Sequence, residues 1–321
     1  MNGKQYTKDE LLSAHDHLID NDNVPEDAED DLWTDGGIID DEDENAPIVV
    51  KIGGARAVNP AGALGDIAHL TANGEDVVVV HGGSTAVDDT LEALGEEPEY
   101  VESPNGIVGR FTDERAMEVF EMVMPGKLNT DLTADLQAEG VRAVGLSGVD
   151  GSLLTGLRKS AVRVVEDGKK KIRRGDHSGK IESVNASLLE TLLAENYTPV
   201  VTVPMLADDG TPVNADADRA AAAIAGALGG ELVVLTDVPG LLENPDNETT
   251  LIEQVATPAE MATAKDVAEG FMTKKVMAAT EALNGGAKSV VIADANNRDP
   301  ITAAQKGHGT KFTPAAVEGP Q

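Results

Sequence analysis

The 321-residue chain contains no cysteine. Disulfides, thiolate zinc sites, iron–sulfur clusters and a cysteine nucleophile are thereby excluded. Aromatic residues amount to 2% of the chain, too few for the interleaved stacking platforms of a nucleic-acid binder. Cations are scarce as well: 25 Lys and Arg face 57 Asp and Glu, a formal net charge of −32. The field of such a chain repels phosphate, so neither nucleic acid nor an anionic membrane is an expected partner. No apolar run approaches the roughly 20 residues that span a bilayer, and the opening MNGKQYTKDE is no signal peptide. A soluble, cytoplasmic protein is expected. The phosphate-binding pattern G-x-x-x-x-G-K-S/T and the dinucleotide fingerprint G-x-G-x-x-G are also missing.

What is present is distributed unevenly. Residues 1–46 hold 16 acids and two lysines, net −14, with Tyr6 and Trp33 their only aromatics. Such composition buries too little apolar surface to offset chain entropy, and a disordered acidic extension is expected. Within it, Thr7-Lys8-Asp9-Glu10 has the pattern of a helix cap. Residues 157–180 are the opposite: nine basic residues, three acids, net +6. Elsewhere the acids are dispersed and lysine is rare, 15 in the whole chain. A dispersed acidic surface stays hydrated in concentrated salt, which points to a halophilic source.

From Ala46 onward short apolar runs end in glycine or polar turns. Residues 48–52 run into Gly53-Gly54, residues 77–80 into His81-Gly82-Gly83, and residues 143–146 into Ser147-Gly148. The same pattern recurs at 199–203, at 232–235 before Thr236-Asp237, and at 289–292. Continuous apolar strands alternating with helical spacing, as at 61–73, predict an α/β fold with a mainly parallel open sheet covered by helices on both faces. Residues 161–165 and 170–174 flank Glu166-Asp167-Gly168 and predict a β-hairpin with Asp-Gly in its turn. Its returning strand is almost wholly basic, so the hairpin is expected to be solvent-exposed and apart from the core sheet.

Glycines at the carboxyl ends of parallel strands let backbone N–H groups approach phosphate oxygens, but alone each is more often a tight turn. Lys51 closes an apolar strand, where an ammonium without a negative partner is costly. A second lysine candidate lies in Gly270-Phe271-Met272-Thr273-Lys274-Lys275. Between them stands Asn214-Ala215-Asp216-Ala217-Asp218 before an alanine-rich helix, and either Asp216 or Asp218 fits its cap.

Together the stretches KIGG, HGG, GRFTDERAMEVFEMVMPGKLN, GLSGVDG, NADADRAA, LTDVPGL and GFMTKK–VMAA resemble the amino-acid kinase family, in its acetylglutamate-kinase-like branch. The resemblance covers about residues 48–313. It implies an acceptor-substrate lobe at 47–229 and a nucleotide lobe at 230–321. It implies that Lys51 and Lys275 flank the transferring phosphoryl group and that Asp218 holds them. Arg110 would clamp the substrate α-carboxylate, with Asn214, Gly82 and Gly83 positioning its other polar groups. Gly53, Gly54, Thr236, Asp237, Gly240 and Met272 would receive ATP, with Mg²⁺ held by the nucleotide phosphates and no protein metal site. A carboxylate acceptor needs no general base, so His81 reads as part of its loop rather than as a base. A homodimer through residues 114–124 is a further expectation from the family.

The basic segment resembles the hairpin of those family members whose substrate is attached to an acidic amino-group carrier protein of the LysW type. By that resemblance the carrier would dock on Arg158, Lys159, Arg163, Lys169, Lys170, Lys171, Arg173, Arg174 and Lys180. The carried acceptor is glutamate or 2-aminoadipate, leading to arginine or lysine, with glutamate favoured by the halophilic reading. The alternative is a kinase of free N-acetylglutamate, which has no use for the basic hairpin.

Overall fold

A computed structural model describes residues 46–53, 61–104, 106, 108–166 and 168–318. The expectations for the acidic extension, and the assignment of Gly54, lie outside the described residues. All described residues belong to the unit Glu42–Gln321.

The first strands are β1 (Ile48–Ile52) and β2 (Val77–His81), and β3 (Tyr100–Glu102) and β4 (Val108–Arg110) form a separate two-stranded sheet. Then follow β5 (Ala143–Gly148), β6 (Leu154–Glu166), β7 (Lys169–Val184), β8 (Thr198–Ala207) and β9 (Pro212–Val213). The chain continues with β10 (Glu231–Thr236), β11 (Gln254–Val255), β12 (Ser289–Asp294) and β13 (Thr310–Phe312). The eleven-stranded sheet has the order β11-β13-β12-β10-β1-β2-β8-β6-β7, with β5 and β9 also on β8. At its centre β12, β10, β1, β2 and β8 are all parallel, and β10 pairs directly with β1 across the expected lobe boundary.

The helices are α1 (Ala61–Ala72), α2 (Ser84–Ala93), α3 (Glu114–Glu121), α4 (Asn129–Ala138) and α5 (Ala186–Ala194), then α6 (Ala217–Ala227), α7 (Pro258–Val267), α8 (Gly270–Asn284) and α9 (Pro300–Gln305). Between α3 and α4 the chain passes through a π-helical stretch, Met122–Leu128, which contains Pro125 and so lacks one helical donor.

Strand periodicity decides which face each residue serves. In β1, Ile48, Val50 and Ile52 join one apolar cluster with Ile67 of α1 and Ile301 of α9. Val49 joins the other, with Ala220, Ala221 and Ile224 of α6 and Val276 and Ala279 of α8. Both clusters are buried, which explains the unbroken apolar runs of the central strands. Lys51 has the parity of Val49 and therefore emerges on the α6/α8 side.

The basic hairpin corrects one expectation. It is not apart from the main sheet: at its root Thr155 and Gly156 of β6 pair with Leu206 and Ala207 of β8. Nor is it wholly exposed, because Val164 is fully buried.

Candidate active site

The carboxyl ends of the parallel strands are where an open α/β sheet collects its ligands, and Lys51, His81, Thr236 and Asp294 stand at those ends. Helix α6 begins beside them. Its N-cap is Asp216, whose Oδ1 accepts from the backbone N–H groups of Asp218 and Arg219. This releases Asp218 for another task. Lys51 Nζ lies 2.5 Å from Asp218 Oδ1, and Lys275 Nζ, from α8, donates to Oδ2 at 3.5 Å. All three side chains are buried.

Burial would raise the Asp218 carboxyl pKa, but the charges and hydrogen bonds of Lys51 and Lys275 outweigh it and hold the group below the ordinary carboxylate range. Burial, reinforced by the Lys51 charge, lowers the Lys275 pKa despite the opposing pull of Asp218. Two ammonium groups thus share one carboxylate. The surplus positive charge, in a site shielded from water, suits an anionic oxygen arriving from outside.

Helices α6 and α8 are fixed to each other independently of that cluster. Arg219 grips Glu281 through two parallel hydrogen bonds, Nε to Oε2 at 2.7 Å and Nη2 to Oε1 at 2.5 Å. Further along, a Cβ on Gly226 would stand 2.9 Å from the Gly285 carbonyl oxygen, so glycine permits the close backbone approach. The Arg219–Glu281 pair spans 62 residues of sequence, and no local pattern announces it.

His81 is the last residue of β2 rather than a loop residue. Its Nδ1 contacts the Gly82 carbonyl at 3.1 Å, and its Nε2 contacts Asn129 Nδ2, also at 3.1 Å. A carbonyl only accepts, so Nδ1 carries the proton and Nε2 accepts from the amide. Burial lowers the His81 pKa, and the Lys51 charge adds to that against the Gly82 carbonyl. The ring is a neutral, fully engaged structural group, and its partner is Asn129, the last residue of the GRFTDERAMEVFEMVMPGKLN stretch, to which the sequence reading gave no role. Gly83 lies immediately before α2, where a Cβ would collide with Leu128 and Met124.

Arg110 is held against α2. Its Nη1 lies 2.5 Å from Asp88 Oδ1, and Nη2 donates to the Ser84 carbonyl at 3.0 Å and the Tyr100 hydroxyl at 3.1 Å. Tyr100 in turn donates to Asp88 Oδ2 at 2.7 Å. Neither Asp88 nor Tyr100 was singled out in the sequence; Asp88 lies one helical turn past Ser84, which alone does not name its partner. Asn214 donates to Thr112 Oγ1 at 3.0 Å, two residues beyond Arg110. The Gly82-Gly83 turn, Arg110 and Asn214 therefore belong to one connected neighbourhood through α2 and Thr112.

On the other side, Thr236 ends β10, the exposed Asp237 follows it, and Thr236 Oγ1 donates to Asp237 at 3.2 Å. Gly240 is buried against Leu251 and Thr310, so packing accounts for its glycine. Met272 packs partly on the core near the start of α8, beside Phe271, which is 81% exposed. Among the described residues no group of three or more His, Asp or Glu is placed to hold a metal ion, and no helix is long and apolar enough to cross a membrane.

The sequence pattern of the Amino acid kinase family matches residues 46–294. The chain belongs to the amino acid kinase family. It is 44% identical over 269 residues to the LysW-aminoadipate kinase of Thermus thermophilus, covering 82% of this chain and 98% of that one. It is 41% identical over 246 residues to the acetylglutamate kinase of Methanopyrus kandleri, covering 76% and 93%. The carbamate kinase of Giardia shares the fold, with a TM-score of 0.59 over 84% of this chain and 99% of that chain at 15% identity.

In this amino acid kinase the nine hairpin cations are not equivalent. Opposite residues of an antiparallel ladder share a face. Val162 pairs with Arg173 and Val164 with Lys171, whereas Ala161 pairs with Arg174, Arg163 with Ile172 and Val165 with Lys170. The first set carries the buried Val164 and half-buried Arg173, so it faces inward. The outward face presents Arg163, Lys170 and Arg174 around Ile172, which is 68% exposed. Lys159, Lys169 and Lys171 are exposed as well. Arg158 is drawn to Asp209 and His177, and Lys180 lies 3.7 Å from Glu182. Arg173 pairs with Glu99 and stacks over Phe111 at 4.0 Å.

Proposed function

We propose that this kinase transfers the γ-phosphoryl group of ATP to the side-chain carboxylate of glutamate, or of its longer homologue 2-aminoadipate, while that amino acid is attached to an acidic carrier protein. The observation that carries the phosphoryl-transfer half is the buried Lys51–Asp218–Lys275 cluster. An ionised carboxylate oxygen forms the new bond to phosphorus as the bond to the departing ADP oxygen breaks, giving an acyl phosphate. No proton has to be removed, consistent with a His81 that is neutral and engaged on both nitrogens. Charge gathers on the phosphoryl oxygens in such a step, and two buried ammonium groups sharing one carboxylate are suited to stabilise it. Asp218 holds both lysines and remains ionised. Mg²⁺ would arrive with the nucleotide phosphates and supply additional charge neutralisation.

The carrier half is supported by the outward hairpin face. Arg163, Lys170 and Arg174 around an exposed Ile172 form a cationic, partly apolar surface on a chain of net −32, matched in charge to an acidic protein. The name of the Thermus thermophilus relative supports the same choice. The homodimer expected through 114–124 belongs to this proposal, with Met122 exposed in that segment. So does the halophilic character inferred from the dispersed acids. One methylene separates the two acceptors and discriminates by about 1–3 kcal/mol, so both are assigned to the site.

Hydroxylamine trapping tests the reaction. With ATP and carrier-linked glutamate or aminoadipate at high KCl, a side-chain hydroxamate should form on the carrier conjugate. ATP consumption without hydroxamate, or hydroxamate formed equally well on free N-acetylglutamate, would overturn the proposal.

A further inference from the structure

Arg173 lies in the most basic stretch of the chain, yet it is only half-exposed and is tied to neighbouring elements. It faces inward from β7, opposite Val162. Its guanidinium engages both carboxylate oxygens of Glu99, with Nη2 to Oε2 at 2.5 Å, and stacks over Phe111 at 4.0 Å. Glu99 and Phe111 are themselves joined, by a hydrogen bond from the Phe111 N–H to the Glu99 carbonyl at 2.9 Å. The adjacent rung of the same small sheet is Tyr100 opposite Arg110. Arg173 therefore grips one rung and Arg110 belongs to the next. Beyond them, Asp176 and His177 of β7 clasp Thr112: its N–H donates to Asp176 Oδ1 at 3.2 Å, and its carbonyl accepts from the His177 N–H at 2.6 Å.

Residues 110–112 are thus held between α2 and the returning strand of the hairpin. That strand presents Lys170, Ile172 and Arg174 outward and Arg173 inward, alternately, so displacement of its outer face is carried to the inner one.

We propose that Arg173 is a positioning residue that couples the hairpin's docking face to Arg110, rather than one of the cations that contact the carrier. This rests on the proposed function for the identity of the docked partner. The coupling depends on a planar, bidentate, stacking group, which lysine does not replace.

The test compares Arg173→Gln, Arg173→Lys and Glu99→Gln in the full chain with carrier-linked glutamate. For a positioning residue each variant lowers kcat at saturating substrate by about tenfold or more, since misplacing a binding group costs turnover. The double variant Arg173→Gln/Glu99→Gln should then be no worse than the more damaged single one. A docking cation gives the opposite pattern: Arg173→Gln raises KM alone, Arg173→Lys restores activity, and Glu99→Gln lowers KM by releasing a cation. Any of these contradicts the inference. Amide exchange at Phe111 and Thr112, read without substrate, should quicken in Arg173→Gln and Glu99→Gln; unchanged protection overturns the coupling whatever the acceptor proves to be. Failure of the wild-type chain to form the hydroxamate would instead count against the proposed function.

Discussion

Two cationic regions stand out on this acidic chain, and they differ in every physical respect except sign. The Lys51–Asp218–Lys275 cluster is buried, drawn from β1, α6 and α8, and fixed by a single carboxylate. The outward hairpin face is exposed, drawn from two neighbouring strands, and arranged by their two-residue period. Charges in the first are shielded from salt and act at full strength on whatever anion enters. Those in the second are screened, and at molar salt the Debye length falls to about 3 Å. There, recognition must rest on contact pairs and on the apolar patch at Ile172 rather than on long-range attraction. On the proposed reading, the buried cations serve the chemistry and the exposed ones the choice of partner.

Breaking the buried region should have the largest effect. Asp218→Asn leaves two ammonium groups without their counter-charge, and about 3–5 kcal/mol of stability should be lost in denaturant titrations. Lys51→Ala should fold and lose about 10²–10³-fold in kcat, the cost of one donor aimed at developing charge. A Lys51→Ala enzyme with near-native turnover would remove the cluster from the mechanism.

The exposed region should respond more mildly and in a different parameter. Arg163→Gln/Lys170→Gln/Arg174→Gln removes three exposed cations worth up to ~1 kcal/mol each, so KM for the carrier conjugate should rise by about tenfold or more. Its kcat should fall much less than in Arg173→Gln, because carrier binding is weakened while the Arg173–Glu99 link towards Arg110 is left in place. A fall in kcat as deep as that of Arg173→Gln, with KM unchanged, would mean that the outward face does not bind the carrier.

A subtler distinction lies in pH. Burial and Lys51 make Lys275 easier to deprotonate than an ordinary lysine, whose pKa is 10.5. As pH rises, its charge is lost before that value, and kcat should decline on an alkaline limb below it. Lys275→Arg should abolish that limb in whatever activity remains. The same limb in the arginine variant would assign it to another group.

Local rules showed that Lys51, closing an apolar strand, needs a negative partner; that Asp218 joins it to Lys275 was implied only by the family resemblance. An apolar strand with a lysine one residue from its end fixes the side on which that lysine emerges. Asp216 and Asp218 were both readable as caps; the structure divides the roles, with Asp216 capping α6 and Asp218 between the lysines. The antiparallel pairing of residues 161–165 with 170–174 was legible in the sequence, but the attachment of β6 to β8 was not, since that pairing joins residues some fifty positions apart. Nor was the partition of the hairpin's cations. Treating nine basic residues as one patch ignored the pleat, which sends Arg173 inward to Glu99, 74 residues earlier. Asp88, Tyr100, Asn129 and the Arg219–Glu281 clamp were missed for the same reason: each is defined by a partner that only tertiary structure brings near.

The central claim of the proposal joins the two regions: buried lysines stabilise phosphoryl transfer from ATP to a carboxylate that the hairpin's partner delivers. The most direct measurement is the ratio of kcat/KM for carrier-linked glutamate to that for free N-acetylglutamate, with ATP in molar KCl. The account predicts strong preference for the carrier-linked acceptor in the wild type and a reduced preference in the Arg163→Gln/Lys170→Gln/Arg174→Gln variant. Equal specificity constants for the two acceptors, unchanged by that variant, would contradict it.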